Sequence, residues 1–353
     1  MDKEEEEMKK ERDPYWECVK GIAILAIVVG HGYALLHDFV YAWHLPVFFF
    51  VSGWFYNEKK YGDYPELNSA VRIKNNLPKY FTYSCILIML HLVLQNILGV
   101  ETLKERFSLG SAVIYSLESV VFKANDYLAG SMWFVPFLIL SSSFWGIIVY
   151  ISRGKIIKKY KNILIIGLSI LVGALGCVLN AKEIEIAGTY QLQIVMKIVP
   201  LYTVAYYARL YDAQVHGLKF KWYIALVCFA VTIILPYGVG VGVGMYAPWY
   251  SFYILGLSGI YMVLFLCKWL CKFNLLKTIF SMWGRYSFEI MAFNVLIFFL
   301  LNYLFEKMGF EKNAFSLCEF QQLWIIYLSV LMFLPCIVGA LYDKCKVMLF
   351  ARE

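Results

Sequence analysis

The chain has 353 residues, 61% of them hydrophobic and only 16% charged. Soluble domains carry roughly 45–50% apolar and about 25% charged residues, so this composition excludes an ordinary cytosolic enzyme and a disordered protein. The net charge of +7 is spread in short runs, not gathered on one basic surface, which excludes a nucleic-acid binder. What is left is an all-α, polytopic integral membrane bundle.

The opening MDKEEEEMKKERDPYW reads as a charged, solvated cytoplasmic tail over residues 1–15. The first apolar run has no small-residue cleavage site after it, so no cleavable signal is expected. A hydrocarbon core about 30 Å thick needs roughly 20 apolar residues per helix. Such segments occur at 16–36, 39–57, 80–100, 132–152, 162–180, 192–211, 222–243, 247–267, 286–305 and 321–342, which predicts ten transmembrane helices. The ninth can begin as early as Thr278. These spans form one transmembrane domain over 16–342, followed by a short cytoplasmic tail over 343–353.

Between the third and fourth spans, Val113, Ile114, Leu117, Val120 and Val121 recur at helical spacing. They predict an amphipathic helix, either lying at the membrane interface or packed over the bundle's mouth. The GVGVGVG stretch at 238–244 reads as a flexible turn, without the helix context of a phosphate loop. No tandem repeat and no appended soluble domain is visible.

Charge tests the span count. With both termini cytoplasmic, 25 of the 32 Lys and Arg fall on cytoplasmic segments or, for Lys20, at the inner end of span one. That is the asymmetry of the positive-inside rule; RGKIIKKYK at 153–161 is the clearest marker. Of the nine cysteines, Cys18, Cys85, Cys177, Cys228 and Cys336 lie in apolar runs and read as packing thiols. Cys267 and Cys271 have no further ligand at zinc spacing, so no metal site is expected.

An ionisable side chain inside a span is costly and marks function by default. Lys20 and His31 are eleven residues apart; at about 100° per residue they share one helix face, roughly 16 Å apart along the axis. His44 follows in the second span, beside Pro46 and an aromatic run. The plainer readings are that Lys20 snorkels to the headgroups and that His31 closes a helix-to-helix hydrogen bond. His37 and His216 are expected to be solvated, and His91, mid-span, to be structural. Arg72, Lys74 and Lys79 cluster around Pro78 at the start of span three, where they either mark topology or hold the phosphates of a nucleotide-like donor.

At these residues the sequence resembles the membrane acyltransferase-three family, which includes sugar and polysaccharide O-acetyltransferases. Its opening of a basic residue, ten residues and a His is matched by KGIAILAIVVGH (20–31), and its second-span motif by HLPVFFFVSGWFY (44–56). The Lys-Gly start is most similar to the fucose-acetylase type branch. Looser matches continue in RIKNNLPKYF (72–81), SMWFVPFLIL (131–140) and GRYSFEIMAFN (284–294). Two positions depart: Asn76 stands where a second basic residue is common, and Asn294 where His is common. Asparagine keeps a donor and an acceptor but does not titrate near neutrality.

The resemblance implies acetyl transfer from acetyl-CoA, a donor substrate and not a tightly bound cofactor, to a hydroxyl of a cell-envelope carbohydrate or its lipid-linked precursor. On that basis His31 is the general base or acyl relay, with Lys20 and His44 as its catalytic companions. Arg72, Lys74 and Lys79 would draw in the CoA phosphates. Ser52, Trp133 and Asn294 would shape the substrate tunnel. The expected partners are acetyl-CoA, a glycan acceptor and the bilayer of the plasma or inner membrane, with no nucleic acid. Two other readings stay open: a proton-coupled permease, disfavoured because the two halves show no similarity, and an acyltransferase acting on a lipid.

Overall fold

A computed structural model describes residues 13–98, 107–123, 126–154, 158–215, 217, 219–235 and 249–350. His216 and the 238–244 glycine stretch lie outside them, as do most of the N-terminal tail and the last three residues. Among the described residues the chain is helical, with no strand. The helices are α1 (Pro14–Gly32), α2 (Ala34–Tyr41), α3 (His44–Trp54), α4 (Glu58–Tyr61), α5 (Pro65–Leu98), α6 (Leu109–Ser119) and α7 (Phe134–Ile151). They continue with α8 (Lys161–Ala181), α9 (Leu192–Val215), α10 (Trp222–Ile234), α11 (Trp249–Leu270), α12 (Asn274–Arg285), α13 (Ser287–Lys307) and α14 (Trp324–Phe350).

Among the described residues, eight segments are long and apolar enough to cross a membrane, with α2 and α3 counting together as one over Ala34–Trp54. The other two expected spans are helices as well. α9 has 24 residues but is diluted by Gln193, Lys197 and its tyrosines, and the described part of α10 has 13. α1 runs opposite to α3, α9 and α11, as contacts at each end show, the ring of Trp16 at its start lying 4.5 Å from that of Trp54 at the end of α3. At one end Tyr15 donates to the Leu264 carbonyl at 2.9 Å, and Arg209 donates to the carbonyls of Trp54 and Tyr56 at 3.1 and 2.8 Å. At the other, Leu317 N–H donates to the His31 carbonyl at 3.1 Å. The first end is rich in Lys and Arg and is called the basic end below.

Local chemistry sets the helix starts. Asp13 caps α1, its carboxylate accepting from Tyr15 N–H at 2.9 Å, and Pro14 fills the first helical position, where its missing N–H costs nothing. Ser108 caps α6 in the same way through Ser111 N–H. The amphipathic helix expected here is present. Its apolar stripe faces outward, with Leu117 67% exposed while Ala112 and Ser119 are buried. That orientation suits a helix lying at an apolar interface more than one packed over the mouth.

Two expectations change in detail. Pro78 does not start a helix; α5 runs through it for 34 residues, about 51 Å at 1.5 Å per residue. The helix therefore extends beyond a hydrocarbon core of about 30 Å and lifts Arg72 and Lys74 toward the basic end. The early start considered for the ninth span is a separate helix, α12, divided from α13 at Tyr286.

Glycines bring α1 and α12 into backbone contact. A Cβ on Gly284 would stand 1.8 Å from the Glu17 carbonyl oxygen, and one on Gly21 would stand 2.0 Å from that of Phe280. Small residues that admit such closeness are the usual means of helix association in membranes. α8 meets α9 similarly, with Gly173 against Pro200 and Gly176 against the backbone of Lys197. The largest buried side chains, among them Trp145, Tyr202, Phe49 and Phe298, fill one continuous core.

Candidate active site

The end of α1 and the turn into α3 gather three histidines around one tyrosine. The Tyr41 hydroxyl and His31 Nδ1 are 3.0 Å apart, and the Tyr41 ring lies 5.8, 4.0 and 4.8 Å from the rings of His31, His37 and His44. Gly30 makes room for it, since a Cβ there would be 2.5 Å from the Tyr41 ring. His37 Nδ1–H donates to the Gly30 carbonyl at 2.6 Å, and His44 Nδ1–H to the Val40 carbonyl at 2.8 Å. Both carbonyls accept only, so the protons sit on Nδ1. His44 thereby adds a second hydrogen bond to the Val40 carbonyl, which also accepts from Trp43 N–H at 3.2 Å. His37 is half-buried on Tyr41 and 5.2 Å from Phe315, not in open solvent as expected. The histidines surround the ring without converging: among the described residues no group of three His, Cys, Asp or Glu is placed to hold a metal ion.

A distant segment closes the end of α1. Besides the bond from Leu317 to His31, Gln321 donates its amide to the Gly32 carbonyl at 2.6 Å and accepts from Ala34 N–H at 3.3 Å. Asn302 braces that segment, donating to the Leu317 carbonyl and accepting from Glu319 N–H and the Tyr327 hydroxyl. The carbonyls that a helix end leaves unpaired are thus taken up by the α13–α14 connection, and the backbone beneath His31 is fixed. Sequence reading missed Tyr41, Leu317 and Gln321. The only local signal was a tyrosine ten residues after His31.

The remaining site residues form separate groups, Lys20, Ser52, Arg72, Lys74 and Lys79 toward the basic end and Trp133 and Asn294 away from it. Lys20 pairs with Glu17 at 2.8 Å, one turn before it. Arg72 donates to Asn68 at 3.3 Å and to the Ser52 carbonyl at 3.5 Å. The Ser52 hydroxyl accepts from Tyr202, which also shares a 3.0 Å bond with Ser141. Arg72 and Ser52 therefore belong to one buried polar network. Lys74 is exposed and stands apart from it. Lys79 forms an ion pair with the fully buried Glu289, which also accepts from Tyr83 at 3.0 Å. The Lys79 ammonium lies 5.4–5.9 Å from the rings of Phe288, Tyr342 and Tyr83. Trp133 ends a short 3₁₀ turn (Gly130–Trp133) fastened to α13 by Ser131, which donates to the Met291 carbonyl at 2.6 Å. Asn294, on that helix, is 0% exposed, and neither end of its amide has a protein partner.

Glu58, in the connection after α3, is a further ionic node. It pairs with Lys161 and Arg153 and accepts from the Tyr206 hydroxyl. Burial pushes its carboxyl pKa up, but the hydrogen bonds from Lys161 and Tyr206 and the charges of Lys161 and Arg153 outweigh that and hold it below its ordinary value. His91 is also paired, with Asp126, and stacks on Phe107 at 4.4 Å. Asp126 in turn accepts from the N–H groups of Leu128 and Ala129 at 2.9 and 3.3 Å.

In chemical terms, one end of α1 offers an imidazole oriented by a phenol. The basic end offers cations around the ends of α3 and α9 and the first turns of α5. No curated protein and no solved structure matches the chain. A family model described as an acyltransferase domain matches residues 13–342, nearly the whole chain. With the helical bundle and, among the described residues, eight segments long and apolar enough to cross a membrane, this makes the protein a membrane acyltransferase of the acyltransferase-three family.

Proposed function

We propose that the protein moves an acetyl group from acetyl-CoA to a hydroxyl of a cell-surface carbohydrate or its lipid-linked precursor, with His31 as general base or acyl relay. The observation that carries this is the His31–Tyr41 hydrogen bond at the clamped end of α1. When Nδ1–H donates to the Tyr41 oxygen, Nε2 keeps its lone pair and can take a proton from an attacking hydroxyl. The alcohol oxygen then adds to the thioester carbonyl. Collapse breaks the C–S bond, and the proton on Nε2 passes to the departing sulfur, leaving an acetate ester and free CoA. As a relay, Nε2 would itself take the acetyl group from sulfur and pass it to the alcohol in a second step.

The donor enters from the cytoplasmic side, taken as the basic end, with both termini on that side of the plasma or inner membrane. Arg72 and Lys74 draw in its phosphates, Lys20 stands at the inner end of the His31 helix, and Ser52, Trp133 and Asn294 border the acyl path. His44 holds the hairpin that carries Tyr41. The Lys20–Gly21 opening supports placement in the fucose-acetylase type branch.

The test gives labelled acetyl-CoA to membranes holding native envelope glycans and compares wild type with His31→Ala at equal expression. Label should enter a glycan fraction with wild type only. Label in lipid alone would move the acceptor to lipid. Equal incorporation by the variant would remove His31 from the mechanism.

A further inference from the structure

α9 and α11 both pack on α3, at opposite ends of it. Near the start of α3, Gly256 and Gly259 of α11 fit under Pro46 and Trp43; near its end, Gly53 admits the backbone of Tyr202 of α9. Between α9 and α11, toward the basic end, is a cavity of about 560 Å³ open on its outer side. Its floor is Phe50 of α3, and its walls include Val204 of α9 and Leu257 and Leu264 of α11. Phe50 and Leu264 are buried and Val204 is 39% exposed, so the cavity runs inward from the lipid-facing surface.

The mouth is cationic. Lys219 lines it. Lys268 lies 5.7 Å from the ring of Phe220, a lining residue; the backbone N–H of Lys221 holds the hydroxyl of Tyr261, another, at 2.8 Å, while the Lys221 ammonium lies over the ring of Tyr223. Asp212 is the one acid in the connecting stretch 208–221. The volume falls within the roughly 300–1,000 Å³ of small-molecule sites. Basic pockets between transmembrane helices recognise anionic lipid headgroups. An apolar slot with lysines at its membrane-surface end matches an amphiphile whose chain and charge are arranged in that order.

We propose that this groove seats one phosphate-headed anionic lipid, its hydrocarbon chain over Phe50 between α9 and α11 and its phosphate at Lys219. The site does not depend on the acyl-transfer reading, and its test measures no acyl transfer.

The full chain would be placed in phosphatidylcholine nanodiscs containing a small fraction of phosphatidylglycerol with a diazirine in its acyl chain. After irradiation, adducts would be mapped by mass spectrometry. Labelling should concentrate on α9 and α11, several-fold above that of the outward residues Ile163, Ile170 and Leu171 of α8, which are 69%, 60% and 64% exposed. A diacylglycerol bearing the same diazirine, which lacks the phosphate, should lose that preference. Val204→Trp, which fills the slot from an exposed position, should abolish the excess labelling, and Lys219→Glu should reduce phosphatidylglycerol to the diacylglycerol level. Equal labelling of all lipid-facing helices would mean annular lipid only and would overturn the proposal. So would excess labelling that survives Val204→Trp.

Discussion

The Tyr41 hydroxyl is 3.0 Å from Nδ1 of His31, and the two rings meet edge to face. This bond fixes which nitrogen of His31 is free. Tyr41→Phe keeps the packing and loses the bond. A hydrogen bond of this kind is worth about 0.5–1.5 kcal/mol, so kcat should fall by up to roughly tenfold while the donor KM stays put. Steady-state kinetics on purified protein would check it; an unchanged kcat would reduce Tyr41 to a packing residue.

The α1–α12 contact has no room for a methyl group. A Cβ on Gly284 meets a backbone oxygen at 1.8 Å, and backbone cannot rotate away as a side chain can. Gly284→Ala should destabilise by at least the 1–3 kcal/mol typical of overpacking. The melting temperature in detergent would report it, and a wild-type value would mean that the helices part easily.

Lys79 and Glu289 separate two roles. Lys79→Met leaves a carboxylate buried without its cation, a loss of about 3–5 kcal/mol, and should give little folded protein. Adding Glu289→Gln should restore the yield. The donor KM of that double variant then decides the matter: a wild-type value makes Lys79 structural, and a raised one places it among the phosphate contacts.

His91 and Asp126 tie α5 to the turn that carries Trp133. In a double-mutant cycle of His91→Leu and Asp126→Leu, the two changes should couple by about 0.5–3 kcal/mol. Thermal unfolding of the four proteins measures this. Strict additivity would show that the contact carries no energy of its own.

Glu58 predicts a pH dependence. Its carboxyl is held below the ordinary 4.5, so the folded protein binds that proton less readily than the unfolded chain. The stabilisation is complete above pH 4.5 and is lost as pH falls through the depressed folded value. Wild type should therefore exceed Glu58→Gln in thermal stability by a constant margin near neutrality, and the margin should shrink in acid. A margin that grows in acid would reverse the assignment.

The crossings were legible because hydrocarbon thickness and positive charge act on stretches about 20 residues long. α6 was legible because its stripe repeats at the helical period. Pro78 misled because a proline at a helix start and one inside a long membrane helix look alike from sequence. The site was only half legible. Lys20, His31 and His44 are visible as polar residues in apolar runs, whatever they contact. Their partners are not: Glu17 and Tyr41 are unremarkable letters nearby, and Leu317 and Gln321 lie almost 300 residues from the backbone they hold. Lys79 read as a topology marker or a phosphate contact because Glu289, its ion-pair partner, is far away in the chain.

The clamp on α1 also sets an order of events during synthesis. Gln321 leaves the ribosome 290 residues after His31. At about 5–20 residues per second, that delay is on the order of 15–60 seconds. Until then the first hairpin sits in the bilayer with the carbonyls of His31 and Gly32 unclaimed. The corner around His31 and Tyr41 is therefore completed only when the α13–α14 connection arrives, long after the helix that it clamps.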